Sequence, residues 1–230
     1  MALHARSLPF DHRRGLSALL LGLSIVGVLC AGADAGPTDE AVRECVSKAV
    51  EKLKSGQKAD GHWEAVSNQY GGMTALAVLA LLQAGEPLDD PAVARGLDAL
   101  ERVPDADTYV VSLRMMAMLK AGDVAGKPLY AAEIRRAVDW LERAQTRLGT
   151  WGYRMPPRED REAEAISAAT DNSNTQFALL ALHEAARGGY AIDERIWKRS
   201  RDYYLRTQLS DGGWGYRHEG RSSSMRWPWQ

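Results

Sequence analysis

The sequence predicts an all-α fold built from α/α hairpin repeats, and three observations carry that prediction. A turn with Gln six positions before Trp occurs three times, at Gln57–Trp63, Gln145–Trp151 and Gln208–Trp214. Helices apolar on one face alternate with helices apolar on nearly every face. The spacing also repeats: Gln57 to Glu101 and Glu101 to Gln145 are each 44 residues. A fixed period of this size is the signature of a repeat architecture. Hydrophobic residues make up 45% of the 230-residue chain and charged residues 26%, an ordinary globular balance. The formal net charge is −1, so no basic surface points to nucleic acid.

The first 35 residues read as an export leader. Arg13 and Arg14 precede the uncharged apolar run Leu16–Cys30, and Ala33 and Ala35 are small residues before an expected cleavage at Gly36. The run is shorter than the ~20 residues that span a bilayer. A cleaved leader is therefore the reading, with an uncleaved N-terminal anchor as its alternative. After cleavage no transmembrane segment is expected, and the location is periplasmic or secreted. Cys45 is then the one remaining thiol. It falls on the apolar face of the first helix (Ala41, Cys45, Ala49, Leu53), where a buried structural thiol is expected.

The repeat domain is placed at 36–216. Its first, outer helix runs from about Thr38 to Lys54, capped by Thr38 and stopped by Ser55-Gly56. Met73 to Ala84 is apolar nearly all round and is expected to be buried on every face. Asp90 or Pro91 opens a one-faced helix to about Arg102. Thr108 to Lys120 is again more apolar and is closed by Ala121-Gly122. Tyr130 to Ala144 is one-faced, Asn172 to Ala186 more apolar, and Asp193 to Thr207 one-faced. The stretch 101–107 is a degenerate turn that has lost its Gln and Trp. The last interval, Gln145 to Gln208, is longer by about 19 residues. The surplus falls at 154–171, a charged stretch with Pro156-Pro157 that reads as an exposed loop.

In the turns, Gln57, Asp60, Gly61 and Trp63 are matched by Gln145, Gly149 and Trp151, and by Gln208, Asp211, Gly212 and Trp214. Glycine permits a tight reversal, the Trp plate covers the hairpin end, and the Gln amide meets backbone groups left open at helix ends. These are structural roles. A two-helix unit ending in Gln-x-x-Asp-Gly-x-Trp resembles the QW repeat of squalene–hopene and oxidosqualene cyclases and the related prenyltransferase/squalene-oxidase repeat. The segment 171–182 is also similar to inner-helix starts in exported bacterial proteins with such repeats. The resemblance implies outer and inner helices alternating in an α/α toroid, of which this chain holds about half.

The resemblance also implies chemistry, and the residues for it are missing. Cyclases of this kind protonate their substrate from Asp-x-Asp-Asp, a pattern that does not occur here. Asp89-Asp90 and Asp105-Ala106-Asp107 read as helix caps. The His and Cys residues lack zinc-ligand spacing. No catalytic residue, metal or cofactor is therefore assigned. The candidate ligand site is the rim formed by inner-helix N-termini: Asp107, Thr108 and Tyr109, with Asp171, Asn172, Ser173, Asn174 and Gln176. Open N–H groups there would favour a polar or anionic ligand. The alternative is plain capping, with Asp171 or Asn172 as cap and Gln176 reaching back.

The apolar inner helices suit an apolar ligand or simply one another. The tail 217–230 starts like another inner helix at Ser224-Met225, but Pro228 interrupts it. The array therefore reads as truncated, or as a half-toroid that self-associates through its open end. The leading function is an exported, non-catalytic module that binds a protein partner or apolar ligand. The alternative is an isoprenoid-modifying enzyme of the cyclase/prenyltransferase class.

Overall fold

A computed structural model describes residues 38–63, 71–159 and 170–217. The expected leader, the middle of the inserted stretch (160–169) and the tail beyond 217 lie outside the described residues. The fold is all-α. Among the described residues the elements are α1 (Asp39–Ser55), α2 (Gly72–Gln83), α3 (Pro91–Glu101), α4 (Thr108–Ala125), α5 (Ala131–Ala144), β1 (Trp151–Gly152), β2 (Thr170–Asp171), α6 (Asn172–Arg187) and α7 (Glu194–Thr207). Aspartates open four of the helices. Asp90 accepts from Ala92 N at 2.9 Å, Asp107 from Tyr109 N at 3.0 Å, Asp171 from Asn174 N at 2.8 Å and Asp193 from Arg195 N at 2.9 Å.

The chain divides into two units, Met1–Cys45 and Val46–Gln230. Of the first, the described residues are the start of α1, and all of them are exposed. Cys45 is an exposed free thiol, which corrects the expectation of a buried one. The apolar spacing of α1 marks the face that seeks cover; Val50 is buried in the core and Leu53, half-buried, packs against it.

In the second unit α4 packs against both α2 and α6, α3 packs on α2, and α5 packs on α4. α4 is the helix buried on every face, through Val110, Val111, Leu113, Met115, Met116 and Met118. The same expectation for α2 is corrected. Met73 and Leu76 stand exposed on one side of it, because α4 and α3 cover its other faces. α4 also runs on past Gly122 to Ala125, and Gly126 caps it in the left-handed conformation (φ 63°).

The three turns are one structure repeated. Lys58 N bonds His62 O at 2.8 Å, Thr146 N bonds Thr150 O at 2.9 Å, and Leu209 N bonds Gly213 O at 2.9 Å. Each Trp donates its indole N–H ten residues back into its own outer helix. Trp63 reaches Leu53 O at 2.7 Å, Trp151 reaches Leu141 O at 2.8 Å and Trp214 reaches Tyr204 O at 2.9 Å. These carbonyls lie in the last turn of the helix, where oxygens have lone pairs to spare (Leu53 O and Leu141 O also accept from Gly56 N and Gln145 N), so each indole bond ties the plate to its helix end. Threonines on the inner helices tie down the other side. Thr74 Oγ1 accepts from Trp63 N and Thr175 Oγ1 from Trp151 N, both at 3.1 Å.

At the degenerate turn another device serves. Arg114, buried on α4, donates to Val103 O and pairs with Asp105. A guanidinium on the inner helix thus gathers the backbone that Gln and Trp gather elsewhere. β1 and β2 pair antiparallel, Trp151 opposite Asp171. Thr170 and Asp171 are buried there, so the inserted stretch is closed at its base rather than exposed throughout.

Candidate functional site

The rim is built where turn segments dock on inner-helix starts. Thr108 N donates to Tyr153 O at 2.8 Å, and Thr108 Oγ1 to Gly152 O at 2.5 Å. The next repeat copies the arrangement: Asn172 N donates to Tyr216 O at 3.0 Å, and Asn172 Nδ2 to Gly215 O at 2.7 Å. The tetrapeptide Trp-Gly-Tyr-Arg occurs at both 151–154 and 214–217. That shared tetrapeptide is the sequence signal for this docking.

The tyrosines of those segments converge on α4 and α6. The Tyr109 ring lies 5.7 Å from that of Tyr153 and 4.7 Å from that of Phe177, centroid to centroid. Its hydroxyl bonds Ser173. Burial pushes the Tyr109 hydroxyl up from its ordinary value. Burial, then a hydrogen bond to Tyr153, pushes Tyr216 up to about 12. Burial likewise raises the Asp107 carboxyl, opposed by the Val110 and Tyr109 N–H groups.

The predicted rim residues divide in this geometry. Asp107, Thr108 and Tyr109 do meet Asp171, Asn172, Ser173 and Asn174 at one place, joined through Tyr109 and Ser173. Their helix-end N–H groups are largely occupied, however, by the Asp107 and Asp171 carboxylates and by the Tyr153 and Tyr216 carbonyls. Both oxygens of the buried Asp171 are engaged by Asn174, the second through Nδ2 at 2.9 Å. Gln176 does not reach back to close a capping box. It faces the other way, into a groove.

That groove lies between α6 and α7 and has a volume of about 640 Å³. Leu179, Leu180, Trp197, Tyr204 and Trp214 form its apolar wall, with Asn172, Gln176, His183 and Arg201 at its polar margin. α7 can line it because it has two useful faces. Ile196, Ser200 and Tyr203 turn inward, while Trp197, Arg201 and Tyr204 turn to the groove. α6 contributes Gln176, Leu180 and His183, a line at helical spacing. One clue to it is local: the second stripe Trp197-Arg201-Tyr204. Which stripe is covered depends on α6, far away in sequence. Among the described residues no three of His, Cys, Asp and Glu gather as a metal set.

Residues 108–223 match the model of the squalene-hopene cyclase C-terminal domain. The chain belongs to that family. The matched stretch begins at the first residue of α4 and takes in α5, α6 and α7, so it contains the groove and, apart from Asp107, the rim of this cyclase-like domain. No curated protein was found to match the chain.

Proposed function

We propose that this cyclase-like domain is a non-catalytic binding module and that the α6–α7 groove is its binding surface. The observation that carries the reading is the groove's wall: among the described residues Leu180 and Trp214 are exposed there, with Leu179, Trp197 and Tyr204 half-buried behind them and polar groups along the margin. Exposed apolar surface of this kind marks binding sites. The rim supports the non-catalytic half. The frame Asp171-Asn172-Ser173-Asn174 offers one carboxylate where an Asp-x-Asp-Asp acid has three. That carboxylate is held by Asn174, and Ser173 is held by Tyr109. The leader-like first 35 residues support a location outside the cytoplasm, which intact-mass measurement of the protein checks through cleavage before Gly36.

The test titrates the full chain with the apolar dye anilinonaphthalene sulfonate. Dye emission and Trp emission should change together, and Leu180→Asp should abolish both changes while leaving far-UV circular dichroism intact. Dye binding indifferent to Leu180→Asp would remove the groove from the argument. Incubation with squalene, followed by product analysis, addresses the enzyme alternative: any turnover overturns the non-catalytic reading.

A further inference from the structure

We draw no further inference here: the strongest candidate, the open side of the third turn, where a Cβ on Gly212 would meet nothing within 4 Å and the α6–α7 groove begins, adjoins residues 218–230, which lie outside the described residues, so nothing in the structure shows what covers it.

Discussion

Gly149→Ala against Gly212→Ala is the most direct measure of what a helix laid on a turn contributes. Both glycines have left-handed backbones, with φ of 90° and 84°, so both variants bear the same conformational cost, about 1–2 kcal/mol. They differ in what the new methyl meets. At Gly149 it lands 2.3 Å from Arg199 C and 2.4 Å from Arg199 O, where ordinary contact begins near 3.4 Å. Backbone lies on both sides of that overlap, so α7 must retreat by about 1 Å to restore normal contact. Three bonds cross the gap: Gln145 to Ile196 O (3.0 Å), Gln145 to Ser200 Oγ (3.1 Å) and Ser200 Oγ to Gly149 O (2.7 Å). At about 1 kcal/mol each, their loss brings Gly149→Ala to about 4–5 kcal/mol. Gly212→Ala should stay near 1–2 kcal/mol. Urea unfolding followed by circular dichroism reads the difference. Equal losses in the two variants would refute the reasoning, because the turn conformation alone would then set the cost.

Three further outcomes follow from the same packing. Arg114→Ala should lower stability by about 3–5 kcal/mol, the usual cost of breaking a buried pair, seen as an earlier urea midpoint. Trp151→Phe should cost about 2 kcal/mol through the lost bond to Leu141 O in a fully buried site, and Trp214→Phe under half of that, with Trp214 the more open of the two to acrylamide quenching. Tyr204 and Tyr216 should ionise only at about 12, seen as late tyrosinate absorbance. Their folded values lie above the unfolded one near 10, so above that pH the unfolded chain holds fewer protons. Their contribution is present below about pH 10 and is lost as pH rises towards 12.

The fold was legible because repeats write the same physics several times. The seven helices, the outer and inner alternation and the turn motif all came from local spacing, and the aspartates flagged as caps at Asp90 and Asp107 are caps. The site was legible only in part. Asp107 and Asp171 open their helices, as their spacing predicts, and the two helix starts touch where the Tyr109 hydroxyl bonds Ser173. That their N–H groups are occupied could not be read locally, because the acceptors include carbonyls of Tyr153 and Tyr216, about 45 residues further along the chain. Arg114 drew no notice for a related reason: its partners Val103 and Asp105 sit in the one turn whose motif had decayed.

By itself the sequence determined what each segment is: helix or turn, capped by which aspartate, with which face apolar. Periodicity and turn chemistry are properties of neighbours along the chain. Only the tertiary structure decided which apolar faces find cover. α2 and α4 read alike in sequence, yet α4 is buried between two inner helices while α2 keeps Leu76 exposed. Trp151 and Trp214 end the same motif, yet a helix lies on one turn and none of the described residues on the other. Cover is supplied by residues distant in sequence, and a motif of local spacing does not specify them.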